Sequence, residues 1–263
     1  MKIKEKRSGN QSFVRWNKFA VARKSTDFKN YLRELCSMDL FLLHDIEAIA
    51  EKQDIYVFSG IIRDFFLQEK IQGRKKGSNS AKDRKRPRDL DFVIVGDFSE
   101  QIFSTGHVYQ NQYGGLKLTL GNIKVDIWSL HNTWGIVQEN KPLSPESLLE
   151  TSFFNFSAIV YDYKNEIFVV GKPFIEFLNT HILDIVYKKN PKPELCIVNS
   201  MYYREKLGCA ISKRLSKWLI KEFYANPQFD YDAIQQNHFG KIIYNKKKIT
   251  NFINQLDKQK DYV

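Results

Sequence analysis

The sequence predicts an α/β chain in which a mixed β-sheet flanked by helices is followed by a small all-helical domain. Three observations carry that prediction. As far as about residue 172, short β-branched and aromatic runs alternate with apolar stripes at helical spacing. From Pro173 onward only the helical spacing recurs. One strand-like run, Arg88-Asp89-Leu90-Asp91-Phe92-Val93-Ile94-Val95, opens with two carboxylates on an otherwise apolar stretch. At 263 residues, 43% of them hydrophobic, the chain can form two domains that each bury a core. The patterns divide it into a basic N-terminal arm over 1–24, a first domain over 25–172 and a helical domain over 173–263.

Residues 1–24 are basic and polar with a few aromatics (Phe13, Trp16, Phe19) and no clear period, which reads as an arm or a loosely packed segment. From Asp27, Phe28, Tyr31, Leu32 and Leu35 share one helical face; a second helix from about Asp39 carries Leu42, Leu43, Ile46 and Ile49. Both should pack on the sheet that follows. Ile55-Tyr56-Val57-Phe58 is a short strand, and Ser59-Gly60 leads from it into a helix beginning Ile61-Ile62-Arg63-Asp64. Gly60 would let a ligand approach the backbone closely, and the unpaired N–H groups and positive dipole end of a helix N-terminus suit a triphosphate. Arg63 could add a bidentate phosphate contact that Asp64 orients. Ordinary turn chemistry explains a lone Ser-Gly equally well.

Between Gly73 and Arg88 stand eight Lys and Arg against one acid, Asp83, with almost nothing apolar, so 73–88 reads as a flexible basic loop. Arg74, Lys75, Lys76, Arg84, Lys85, Arg86 and Arg88 could hold a nucleic-acid backbone or incoming phosphates. A solvated insertion is the equal alternative. The loop delivers into Asp89. Side chains two apart on a strand point to one face, so Asp89 and Asp91 would sit side by side, and their repulsion would be relieved by a hard cation such as Mg²⁺. Val108 to Trp128 then reads as a hairpin, Leu116–Leu120 turning at Gly121-Asn122 into Ile123–Trp128, which brings the lone acid of its second strand, Asp126, beside that pair. Asp-x-Asp also occurs by chance in loops and caps, and Asp126 could be a surface residue of an edge strand. Phe153–Tyr161 and Ile167–Val170 are the next strands, joined by a turn at 162–165.

In the helical domain, Phe174, Phe177, Leu178, Ile182, Ile185 and Val186 form one stripe. Leu195, Val198, Met201, Tyr202, Leu207 and Cys209 form the next, and two further helices are expected over 215–224 and 242–256.

The net charge of +11 favours a polyanionic partner, nucleic acid first. The three cysteines, Cys36, Cys196 and Cys209, have no metal-type spacing and suit a reducing compartment. No apolar run would span a bilayer and the N-terminus lacks a signal-peptide core, so a cytoplasmic protein without a membrane partner is expected.

With these residues in view, the chain resembles the polymerase β nucleotidyltransferase superfamily, and within it the head and neck of class II tRNA nucleotidyltransferases and bacterial poly(A) polymerases. The family's Gly-Gly-x-x-Arg-Asp is matched by Ser59-Gly60-Ile61-Ile62-Arg63-Asp64, its Asp-x-Asp by Asp89-Leu90-Asp91, and the superfamily's third carboxylate by Asp126. Fainter echoes are Thr151 to Ala158 for the Arg-Arg-Asp-Phe-Thr-Ile-Asn-Ala segment, and Val198 to Cys209 for the arginine-bearing neck helix. The resemblance covers roughly residues 50 to 225 and implies a polymerase β-type domain. It implies transfer of a nucleoside monophosphate from an NTP to a hydroxyl, with Mg²⁺ or Mn²⁺ on Asp89, Asp91 and Asp126 and the phosphates cradled by Ser59, Gly60 and Arg63.

The departures are as informative. Thr151-Ser152-Phe153 replaces Arg-Arg-Asp, and Asn199 and Tyr202 replace the neck arginines, so selection of CTP and ATP does not carry over. The body and tail domains that hold a tRNA have no room in this length. Charge and the basic loop favour RNA as acceptor, with a protein hydroxyl or a small molecule as alternatives, and the cellular abundance of ATP favours it as donor. A rival reading is a catalytically degenerate member of the fold that only binds RNA or nucleotide. Against it, clustered acids without a metal destabilise a fold by repulsion. A metal-dependent nuclease would also use the acids but gives no reason for the Ser59-Gly60 turn.

Overall fold

A computed structural model describes residues 13–16, 22–37, 40–58, 60–72, 87–98, 108–111, 114–120 and 122–258. The chain divides into two compact units, Met1–Thr151 with Phe156–Ile175, and Ser152–Asn155 with Glu176–Val263.

The first unit contains β1 (Phe13–Trp16), α1 (Ala22–Cys36), α2 (Leu40–Lys52), β2 (Ile55–Phe58), α3 (Gly60–Gln72) and β3 (Asp89–Ile94). After these come β4 (Tyr109–Gln110), β5 (Leu116–Leu120), β6 (Ile123–Ser129), α4 (Trp134–Gln138), α5 (Pro145–Glu150), β7 (Ile159–Asp162) and β8 (Ile167–Gly171); α6 (Lys172–Thr180) runs into the second unit. The strands form one eight-stranded sheet in the order β1-β8-β7-β2-β3-β6-β5-β4. β3 and β6 are parallel and the other pairs antiparallel, so the sheet is mixed, as the sequence predicts.

The core lies where aromatic side chains from α1 and α3 meet the β7–β8 hairpin. Phe28 stands edge-on to Phe65 (ring centroids 5.2 Å apart) and to Tyr161 (4.8 Å), and Phe66 stands edge-on to Phe168 at 5.2 Å. Each fully buried ring of this kind contributes roughly 1.5–3 kcal/mol of burial, with a smaller gain from the edge-to-face geometry. Along β3, Leu90 and Phe92 face the interior, and the period of two leaves Asp89 and Asp91 on the opposite, partly open face.

Expectations for two of the strand segments need correction. Phe13–Trp16, within the segment expected as an arm or loosely packed, is an edge strand paired with β8, Phe13 opposite Gly171 and Trp16 opposite Phe168. The strand expected over 153–161 begins only at Ile159, and Asn155–Ser157 form a 3-10 turn. Asn155 is the reason: its amide donates to the Ile182 carbonyl at 2.9 Å and its Oδ1 accepts from the Asp184 N–H at 3.0 Å, which ties Asn155 to the second unit.

The second unit holds β9 (Ile182–Leu183), α7 (Pro193–Leu207), β10 (Ala210–Ile211), α8 (Lys213–Ala225), α9 (Tyr231–Phe239) and α10 (Lys246–Lys258). Its described residues are mainly helical, with a two-residue parallel ladder between β9 and β10 and an antiparallel bridge between Phe154 and Ile185. α7 ends at Gly208 in the left-handed region (φ 61°), which L side chains adopt only with strain. The helix expected over 242–256 begins instead at Lys246, because the buried Gln235 binds the N–H groups of Ile243 and Tyr244 and the Tyr244 carbonyl. Among the described residues no helix is long and apolar enough to cross a membrane.

Candidate active site

β3 and β6 run parallel in a register that sets Asp91 directly opposite Asp126. Two further pairings extend that rung: Phe58 at the end of β2 faces Asp91, and Lys117 of β5 faces Asp126. Paired residues share a face, so Phe58, Asp91, Asp126 and Lys117 form one row across the sheet, with Asp89 one pleat away along β3. The three carboxylates singled out in the sequence are therefore brought to one patch.

Lys117 Nζ lies 2.8 Å from Asp126 Oδ1, and Arg88 Nε donates to Asp89 Oδ2 at 2.6 Å. Asp91 stands between these ion pairs. Burial pushes its carboxyl up to about 7, helped by the charges of Asp126 and Asp89 and opposed by Arg88 and Lys117. Oxygen donors of this kind, gathered and mutually repelling, suit a hard divalent cation. Their outer members, however, are turned towards Lys117 and Arg88. Among the described residues no three His, Cys, Asp or Glu side chains are grouped closely enough to hold a metal ion. The backbone positions fit such a cation, and binding it through all three carboxylates requires Arg88 and Lys117 to swing aside.

The junction between β2 and α3 lies at the same end of the sheet, because β2 is antiparallel to β3 and Phe58 pairs near the start of β3. Ser59 lies outside the described residues. Gly60 is the first residue of α3, and a Cβ built there would meet only Arg63 Nη2, at 4.0 Å. Among the described residues nothing requires glycine at that point. Arg63 is itself buried, its side chain 3% exposed, with Nε on Asp64 Oδ1 at 2.7 Å and its guanidinium 4.7 Å from the Phe156 ring centre. It is clamped beneath the junction with one end towards Gly60. Arg74, Lys75, Lys76, Arg84, Lys85 and Arg86 lie outside the described residues; Arg88 is exposed and paired with Asp89.

Sequence reasoning overlooked Lys117. Its signal was available: the two-residue turn pairs Leu120 with Ile123, and counting back along both strands puts Lys117 opposite Asp126. The segment in place of Arg-Arg-Asp is occupied structurally. The Thr151 hydroxyl donates to the Ser147 carbonyl at 2.7 Å, and Phe153 stands edge-on to Trp218 at 4.8 Å. On α7, Asn199 Oδ1 is buried with no hydrogen-bond partner among the described residues. A separate grouping of Ser129, His131 and Asp97 is not a nucleophile site, because the Ser129 hydroxyl donates to the Gly96 carbonyl at 2.6 Å and is buried.

The sequence matches no protein-family model and no curated protein. Among solved structures the chain is similar to a CCA-adding enzyme in complex with CTP, at 14% identity and a TM-score of 0.59 over 94% of this chain and 56% of that one. A CCA-adding enzyme in complex with ATP aligns at 15% identity and a TM-score of 0.57, over 94% and 55% of the two chains. The Thermotoga maritima CCA-adding enzyme complexed with tRNA aligns at 14% identity and 0.57, again over 94% and 55%. The chain thus spans a little over half the length of these structures. What is shared at such identities is the fold of these CCA-adding enzyme structures.

Proposed function

We propose that the protein is a metal-dependent nucleotidyltransferase that moves a nucleoside monophosphate from an NTP, ATP foremost, to a hydroxyl of RNA. The observation that carries this reading is the row Asp91–Asp126 with Asp89 beside it, at the sheet end where α3 begins. Asp89, Asp91 and Asp126 would hold Mg²⁺ or Mn²⁺, which neutralises the triphosphate and makes the attacking hydroxyl more acidic.

This chain's own residues supply the rest. The first N–H groups of α3 at Gly60 receive the β and γ phosphates, where the backbone has no side chain to hold them off. Arg63, fixed by Asp64 and Phe156, braces that junction. Asp126, released from Lys117, accepts the proton of the acceptor hydroxyl as its oxygen bonds to the α-phosphorus. The α–β phosphoanhydride bond breaks and pyrophosphate leaves. Lys117 remains beside the row as a positive charge against the leaving phosphates. Three buried cysteines fit a reducing, cytoplasmic setting.

The direct test is incubation with Mg²⁺ and each labelled NTP in turn, with and without RNA, comparing Asp91→Ala. Label passing to RNA from one NTP, abolished in the variant, is the expected result. A second reading, a nucleotide- or RNA-binding member without turnover, is favoured by the structural use of Thr151 and Phe153 where the family has arginines and an aspartate. It predicts no transfer from any NTP and unchanged RNA binding by the variant.

A further inference from the structure

We infer that a basic groove along α8 in the second unit is a docking site for the phosphate backbone of RNA. The groove encloses about 470 Å³ and is lined by Lys188, Lys213, Arg214, Lys217, Trp218 and Lys221. Lys213, Lys217 and Lys221 recur every fourth residue, so they form one stripe with about 6 Å of helix rise between neighbours. Among the described residues no carboxylate lines it. Arg214 is held by Asp184, Nη2 to Oδ2 at 2.7 Å, but among the described residues none of the four lysines makes an ion pair.

The floor is rigid. Trp218 is buried, its indole N–H donates to the Lys188 carbonyl at 3.1 Å, and its ring packs on Phe153. With that donor engaged, the free polar groups of the groove are ammonium heads, which read charge and not base edges.

The placement of these charges runs against helix stability. Lys213 and Arg214 open α8, where cations oppose the helix dipole, and the last turn, where they would be favourable, has none. A solvated helix gains nothing from that order, whereas a polyanion meets the summed positive potential of lysines and helix end. A membrane surface fits less well: the apolar face of α8, Leu215, Trp218, Leu219 and Ile220, is buried inside the unit and leaves nothing to insert.

This goes beyond nucleotidyl transfer and is tested without metal or NTP, so either reading can fail alone. Binding of a labelled single-stranded RNA oligonucleotide of mixed sequence to the full chain is followed by fluorescence anisotropy across salt concentrations. The variant is Lys213→Gln/Lys217→Gln/Lys221→Gln. The control is Lys246→Gln/Lys247→Gln/Lys258→Gln, an equal change of net charge on exposed positions of α10. At about 0.7 per phosphate contact, losing three contacts flattens the log K against log salt slope by about 2, and affinity at about 50 mM salt falls at least about tenfold. The control keeps its slope. Equal losses in both variants, or an unchanged slope in the groove variant, would overturn the assignment. So would a loss confined to vesicles containing phosphatidylserine. Matching thermal midpoints show that the variants fold, and Lys217→Glu alone, placing one negative charge in the groove, should lower affinity in the same direction.

Discussion

Asp91 concentrates the tension of the site in one carboxyl. Its pKa in the folded protein, about 7, lies above the ordinary 3.8, so between these values the folded chain keeps a proton that the unfolded chain has released. Without a metal, stability therefore falls as pH rises from about 4 to about 7, by a few kcal/mol at most once solvent screening of a partly exposed group is allowed for. Asp91→Asn should remove that fall. Thermal unfolding in chelator is expected to show the variant more stable than the parent at pH 8, with the difference vanishing towards pH 4, where the parent carboxyl is neutral anyway. A constant difference across that range would mean that the charge on Asp91 is not what strains the row.

Among the elements, two glycines at helix starts separate structural need from ligand need. Gly135 in α4 is packed: a Cβ there would stand 2.6 Å from Thr151 Cβ, and Gly135→Ala should lower stability by roughly 1–3 kcal/mol. Gly60 opens α3 with room around it, so Gly60→Ala should leave the unfolding midpoint within about 0.5 kcal/mol while weakening NTP binding, read by equilibrium binding of a fluorescent analogue. Unimpaired binding would remove Gly60 from the phosphate cradle. The elements also show what could be read from sequence alone. The β5–β6 hairpin was legible because a two-residue turn fixes its register, and the Lys117–Asp126 pair follows from it; the Asp91–Asp126 pair joins two parallel strands that no turn connects, so its register was not. α9 was not, because its buried positions, Tyr231 and Gln235, include a polar side chain that satisfies backbone groups around Tyr244 and leaves no apolar stripe. β1 is four residues long and pairs with a strand more than a hundred residues away in sequence, too short for any period to register.

At the scale of the whole molecule, the proposed nucleotidyl transfer requires that NTP and metal bind together to the folded chain. Ligands that bind only the folded state raise its stability, by about 2.7 kcal/mol at a hundredfold excess over Kd, and in a chain of this size each kcal/mol moves the midpoint by about 2–4 °C. A non-hydrolysable NTP with Mg²⁺ should therefore raise the melting temperature of the full chain by about 5–10 °C at such an excess. The rise should need both components, since the carboxylates bind the nucleotide only through the cation, and it should be absent in Asp91→Asn. Nucleotide held away from the carboxylates would give the same shift without the metal. Comparing the four bases in the same experiment reads selectivity directly. Asn199, with a buried oxygen that has no partner among the described residues, stands on α7 where the resemblance places a base-selecting arginine. If Asn199→Ala levels the four shifts, base choice has moved from an arginine to an amide; if the ranking survives, selection lies elsewhere in the chain.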